Sequence, residues 1–321
     1  MSQLFAHEPV MVDEVVALFA PVGPGVVVDA TVGGGGHAAA VLEACPSLRL
    51  LGLDRDPSAV AAATERLRPY GRRAQVVAAR FDRLAEVVSA EVGGAGDGRR
   101  VAGVLFDLGV SSAQLDRAER GFSYRLEGPL DMRMGPQASG PTAGDLVNGL
   151  DAAELARLFA ANGEGRFARR IAGAIVAARP LSTTTELAEV VRRAIPAATR
   201  RTGGHPARRV FQALRIAVNQ ELDVLARALP AAIDLLAPGG RCVVIAYHSG
   251  EDRIVKALFA EAATGGCACP PGLPCVCGAV PTGRLVFRGA KKPSSAEIER
   301  NHRAESARLR AVEKLAPSEA A

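Results

Sequence analysis

The chain is 321 residues long with 48% hydrophobic and 23% charged side chains, a balance that excludes a disordered protein and suffices for one large domain or two ordinary ones. Glycine and proline number 34 and 20, too few for a collagen-like or low-complexity chain. Net charge is +5, yet Gly165 to Gln220 carries eleven arginines against Glu186 and Glu189, which points either to a polyanionic partner or to solvated helix faces.

The opening MSQLFAHEPVMVDEVV carries no basic leader or apolar core, and no later run reaches the roughly 18 uncharged apolar residues of a membrane span. A soluble, cytoplasmic protein with no membrane partner is the expectation. Four short runs, Val26 to Asp29, Leu48 to Leu53, Ala74 to Ala78 and Val101 to Leu108, are predominantly apolar on both sides, with valines in all but the second. Strands of that kind belong to a buried parallel sheet. Between them Ala38 to Ala44 and Ser58 to Leu67 read as crossover helices, the second opened by Asp56 as N-cap with Pro57 in its first turn.

After Val110 the strand rhythm gives way to helical periodicity. Asp151 to Ala161 places Leu155, Leu158 and Phe159 on one face, and Phe167 to Ala178 does the same with Ile171, Ile175 and Val176 until Pro180 ends it. Thr183 and Glu186 have capping-box spacing for a helix from Leu187 to Ile195. From Val210 one long helix is expected to carry Phe211, Leu214, Val218, Leu222, Leu225 and Leu229 on one face, and after Pro238, Gly239 and Gly240 a buried strand, Cys242 to Tyr247, restores the α/β rhythm. The expected fold class is therefore α/β, a doubly wound Rossmann-like sheet interrupted by an all-helical substrate domain. Its parts are residues 1–113, the insertion 114–209, and 210–321 with a cysteine-rich loop and a basic C-terminal tail.

The first strand runs through Asp29 into Gly33, Gly34, Gly35, Gly36 and His37, where glycines at a helix N-terminus let a ligand approach the backbone. The second strand leads to Asp54, placed to accept hydrogen bonds from a ribose diol. Gly33, Gly35 and Ala38 also satisfy the weak G-x-G-x-x-G/A dinucleotide pattern, so a nicotinamide cofactor competes. Asp29, an acid just before the loop, suits a cationic amino-acid end better than a pyrophosphate, and favours S-adenosylmethionine. The fourth strand delivers Asp107, Leu108, Gly109, Val110, Ser111 and Ser112 to the edge where open α/β sheets hold ligands.

These stretches, with HEPVMVDEVV from His7, LGLDRDPSAV from Leu51, FDLGVSSAQLD from Phe106, RGFSYRLEGPLDMRM from Arg120, GEGRFARRIA from Gly163, HPARRVFQALRIAVNQEL from His205 and LAPGGRCVVIAYHSGEDRIVK from Leu236, resemble the RsmH (MraW) family of bacterial 16S ribosomal RNA cytosine-N4 methyltransferases over nearly the whole chain. The resemblance implies a class I methyltransferase sheet, S-adenosylmethionine as cofactor, and 16S rRNA within the small ribosomal subunit as partner; it leaves oligomeric state open. It also implies a cofactor site of Gly35, Gly36, His37, Asp54, Phe81, Asp107 and Gln114, with a cytosine in the decoding region as acceptor. The sequence departs from the family pattern at Gly34, at Gly250 in the HSLEDR-like motif, and at His302 and Glu305 in the tail.

Methylation of an exocyclic amine needs an acceptor for an amine proton and an in-line methyl sulfonium, without a covalent adduct. Asp107, directly or through Ser111, is the first candidate, and His248 with Ser249 the second, although Ser249 also reads as an N-cap ahead of Glu251 and Asp252. Arg200, Arg201, Arg208 and Arg209 are candidate RNA-phosphate contacts. A nucleotide-sensing regulatory protein without turnover is the alternative function. Of six cysteines, Cys267, Cys269, Cys275 and Cys277 cluster as CACPPGLPCVC. Four soft ligands would suit tetrahedral zinc, but C-x-C is less usual than C-x-x-C, and the expectation is a reduced loop with no metal. The Pro274-Cys275 pair stands in this late loop rather than after the fourth strand, which excludes a cytosine-C5 nucleophile.

Overall fold

Seven strands form one sheet in the order β3-β2-β1-β4-β5-β7-β6: β1 (Gly25–Asp29), β2 (Leu48–Asp54), β3 (Ala74–Ala78), β4 (Val101–Asp107), β5 (Leu236–Ala246), β6 (Gly283–Leu285) and β7 (Arg308–Lys314). The computed structural model describes residues 9–92, 100–110, 112–135, 140–197, 205–270 and 276–316. Strands β1 to β5 pair in parallel, and β7 pairs antiparallel with both β5 and β6. Alternation sorts their side chains onto two faces. Val26, Val28, Val104, Phe106, Cys242 and Val244 enter one core, whereas Val27, Leu105, Val243 and Ile245 enter the other. A sheet buried on both faces accounts for the unbroken apolar runs of its strands.

Among the described residues the chain divides into two compact units, one running to Gly109 and resuming at Asp223, the other spanning Val110–Leu222. The helical unit is built from Ala143–Gly149, Ala152–Ala161, Ala168–Ala177, Thr184–Ala194 and Arg208–Asn219. Its core gathers Leu155, Phe159, Ile171, Ile175, Leu187, Val191, Phe211 and Leu214. Three of these helices open with reciprocal capping boxes, Thr142 with Asp145, Asp151 with Glu154, and Thr183 with Glu186, each satisfying two otherwise orphaned amides. Val176, expected on the buried face, is exposed. Ala168 and Ala172 pack there instead.

Two expectations about the second half need correction. The helix from Val210 is not continuous: Arg208–Asn219 ends at Gln220, whose φ of 53° is left-handed, and Glu221–Leu235 begins anew. At the break the buried Asn219 side chain donates to Met132 O (2.8 Å) and to Arg215 O of its own helix (2.9 Å) and accepts from Met134 N (2.9 Å). Since Val210, Phe211 and Leu214 bury themselves in the helical core, the unit extends to Leu222 rather than stopping at residue 209. Amphipathicity reveals that a helix has an apolar face, not which core receives it.

The second correction concerns the C-terminal segment, which is a sheet strand and not a basic tail. Arg310 forms a two-bonded ion pair with Asp252 (2.7 and 3.1 Å), and Glu313 lies between Arg241 (2.8 Å) and Arg284 (2.6 Å). These paired charges hold β7 to its neighbours. His302 and Glu305 are exposed on the preceding 3-10 turn. No helix among the described residues is long and apolar enough to cross a membrane.

Candidate active site

The carboxyl ends of β1, β2 and β4 are tied together by the loop that leaves β1. Thr31 Oγ1 accepts from the Asp107 amide (2.7 Å), fastening the loop to the end of β4. Gly33 N donates to Asp54 Oδ2 (3.0 Å), fastening it to the end of β2, while Asp54 Oδ1 accepts from Asp56 N (2.9 Å). Gly33 and Gly35 have φ of +50° and +76°, a region that glycine enters without steric cost. The Gly35 amide donates inward to Val32 O (2.7 Å), so this residue shapes the turn rather than offering its N–H to a ligand. Gly36 opens the helix Gly36–Ala44, and a Cβ there would lie 2.6 Å from Pro9 Cγ; first-turn amides such as its own have no acceptor within the helix.

Three carboxylates thus sit at adjacent strand ends. Asp29 is 2% exposed, and its carboxyl is pushed up to about 8 by burial, with repulsion from Asp107 and Asp54 adding to it and the Thr31 amide opposing. Burial also raises Asp54, against the lowering effect of the Asp56 and Gly33 amides. A site that crowds acids in this way favours positive charge in whatever it holds.

Asp107 has two partners that the sequence reading did not assign together. Tyr247 Oη donates to its Oδ1 (2.8 Å). His37 donates through Nε2 to Val10 O (2.9 Å) and sets Nδ1 3.5 Å from Asp107 Oδ2. Burial first, and then the Asp107 charge, raise the Tyr247 phenol well above its ordinary value, which keeps it a donor. Tyr247 was missed because a tyrosine at the end of an apolar strand looks like core; its neighbour His248 drew the attention instead.

For His248 the structure provides a different task. Its Nδ1 accepts from Gly250 N (3.2 Å) and Glu251 N (3.4 Å), while the Glu251 carboxylate accepts from Tyr247 N (2.8 Å) and His248 N (3.2 Å). The helix Ser249–Thr264 is therefore capped by His248 and not by Ser249. An Nδ1 that accepts two amides has no lone pair left for a substrate proton, and in the neutral ring the proton sits on Nε2. In this geometry the His248 Nδ1 serves the helix cap.

Phe81 packs edge-on against Phe106, ring centroids 5.6 Å apart, at the margin of one sheet core. Gln114 belongs to the helical unit and is 7% exposed. Ser111, Arg200, Arg201 and Cys275 lie outside the described residues. Arg208 and Arg209 are exposed at the start of their helix, Arg209 with one nitrogen 3.8 Å from the buried Glu164. Nearby in the helical unit, the sequence reading overlooked a ring stack. His205 lies on Tyr124 with centroids 4.5 Å apart and planes 14° from parallel, and the Arg125 guanidinium sits 5.5 Å from the Tyr124 centroid. Burial and the charges of Arg125 and Arg192 lower the His205 imidazole.

A sequence profile described as the MraW methylase family matches residues 4–315. Ribosomal RNA small subunit methyltransferase H of Heliobacterium modesticaldum is 50% identical over 317 residues, covering 97% of this chain and 99% of that protein. The protein of the same name from Acidothermus cellulolyticus is 53% identical over 316 residues, covering 96% and 94%.

Proposed function

The chain belongs to the MraW methylase family, and from that membership we propose that it transfers a methyl group from S-adenosylmethionine to 16S ribosomal RNA, at the exocyclic N4 of a cytosine in the decoding region. The observation that carries the cofactor reading is the row of acids at the ends of β1, β2 and β4. Asp107, with Asp29 once ionised, would attract a cation and repel a pyrophosphate, which disfavours a nicotinamide dinucleotide. The donor set fits S-adenosylmethionine, whose ammonium and sulfonium are both positive. When bound, that cofactor supplies the activated methyl sulfonium.

In this reading Asp29 meets the ammonium end, and the cation returns its carboxyl toward the ionised form. Asp54 uses the carboxylate lone pairs not taken by Gly33 and Asp56 to accept the ribose hydroxyls. Gly36 offers its first-turn amide, Gly35 supplies the turn, and Phe81 lies beside the cofactor in apolar contact; Gln114 is a further cofactor contact that the family resemblance implies. Asp107 draws on the cytosine amine proton and stabilises the positive charge that develops on nitrogen. Tyr247 fixes the direction of its carboxylate, which is what a reaction dependent on alignment needs. Ser111 is the relay if the proton does not pass directly. Arg200, Arg201, Arg208 and Arg209 hold RNA phosphates.

A transfer assay with methyl-labelled cofactor and small ribosomal subunits tests the reading, followed by nuclease digestion and nucleoside analysis. Label in N4-methylcytidine is the expected product. Tight cofactor binding with no label in RNA would instead favour the sensor without turnover.

A further inference from the structure

The segment between the helix Ser249–Thr264 and β6 is a closed excursion whose described residues bury no apolar side chain. Gly265 and Gly266 turn the chain off the helix with φ of +62° and +73°. The returning strand is pressed back onto the helix end, where a Cβ on Gly265 would lie 2.4 Å from the Val280 carbonyl carbon and Thr282 N donates to Ala262 O (2.9 Å). Both ends of the loop are therefore pinned at one place. None of its described residues from 265 to 282 is buried, and Val276 and Val280 are 89% and 55% exposed. The described residues of this loop contribute no buried side chain to a core.

Its sulfur atoms are nevertheless gathered. The Sγ atoms of Cys267, Cys269 and Cys277 all lie within 4.8 Å of one another, and Cys267 and Cys277 Sγ are 3.6 Å apart. That distance is far beyond the roughly 2.05 Å of a disulfide. It is close to the edge of a tetrahedron of sulfurs around zinc, about 3.8 Å for Zn–S bonds of about 2.3 Å. Val276 N donates to Cys269 Sγ (3.5 Å), the kind of outer hydrogen bond that orients a thiolate ligand.

We propose that Cys267, Cys269 and Cys277 form a thiolate site for one structural zinc ion, which ties the two arms of the loop together. A tetrahedron has one further position beyond these three sulfurs. The C-x-C spacing alone argued for a reduced, metal-free loop. Convergence of three sulfurs in a loop whose described residues are all at least partly exposed reverses that reading. Soft ligands select zinc over calcium or magnesium.

The test uses the full chain, purified without chelators, and zinc is counted by plasma mass spectrometry. About one zinc per chain is expected. Metal-free protein titrated with cobalt(II) alone should develop thiolate-to-cobalt charge transfer and the intense visible bands of a tetrahedral ion, both abolished by added zinc. In Cys267→Ser/Cys277→Ser the melting transition should remain cooperative while zinc affinity falls by more than about a hundredfold, beyond the loss caused by removing an outer hydrogen-bond partner. The proposal is overturned if wild-type protein takes up no zinc and leaves cobalt with the weak spectrum of the hydrated ion. It is equally overturned if intact mass shows a chain two hydrogens lighter with Cys267 joined to Cys277. The cobalt titration needs no variant, so a misfolded variant cannot mask either result.

Discussion

Replacing Asp29 by Asn probes the electrostatics of the strand-end acids in the free protein. The carboxyl titrates at about 8 in the folded chain and near 3.8 when unfolded. Between those values the folded chain holds a proton that the unfolded chain has released. Stability contributed by this group is therefore complete below about pH 4 and drains away as pH rises toward 8, at about 1.4 kcal/mol per pH unit. Over the full interval this amounts to a loss on the order of 5 kcal/mol, comparable with the entire stability of a modest domain. Asn keeps an oxygen for the Thr31 amide and removes the titration. Urea unfolding of both proteins from pH 5 to 8 should show the variant gaining on the wild type by about 1.4 kcal/mol for each pH unit. Asp54, whose carboxyl is also raised, acts in both proteins and largely cancels. Parallel stability curves would refute the claim that burial keeps Asp29 protonated. Calorimetry in buffers of different ionisation enthalpy extends the test: at pH 7 the wild type should release about one proton when it binds S-adenosylmethionine, and the variant none.

Asp107→Asn, at saturating cofactor and RNA, should slow single-turnover methyl transfer by roughly 10² to 10⁴; recovery of the rate on saturation would confine Asp107 to binding. Asp54→Ala should weaken S-adenosylmethionine by about ten- to a hundredfold, the worth of a charged hydrogen-bond acceptor of about 1.5 to 3 kcal/mol, and an unchanged dissociation constant would remove it from the site. With Arg200, Arg201, Arg208 and Arg209 all changed to alanine, the fall of log affinity for unpaired RNA with log salt should flatten by about 0.7 per lost phosphate contact. A slope equal to wild type would make those charges a solvated face.

Local features were legible where short-range chemistry decides them. Asp56 caps its helix as expected, accepting from Ser58 N (3.0 Å), and the boundaries of β1, β3 and β4 fall within a residue of the apolar runs. Long-range partners were not. Beside the break at Gln220, Asn219 reaches Met132, 87 residues away in the chain, and no window of periodicity contains both. Strand β7 hides for a related reason: Arg308 to Lys314 alternates apolar and charged residues, which reads as a solvated tail until Asp252, Arg241 and Arg284 are seen to neutralise it. At the site, the glycine loop and its flanking acids were visible because a ligand-binding turn needs those residue types. The capping by His248 and the part played by Tyr247 come from which neighbour each side chain faces, a matter of orientation that composition does not record.

The placement of β7 also constrains how the chain is made. Synthesis delivers β5 and β6 first, yet in the finished sheet the segment 308–314 lies between them. A nascent chain that has reached β6 therefore has two strands and no bridge. β5 then shows a full edge of unpaired amides and carbonyls flanked by Val243 and Ile245, and the three residues of β6 lack the partner with which they pair. Open edges of this kind recruit strands from other molecules. A product shortened before residue 308 would lose more than a terminus: it would leave a vacant slot inside the sheet, and its expected fate is aggregation or proteolysis rather than reduced activity.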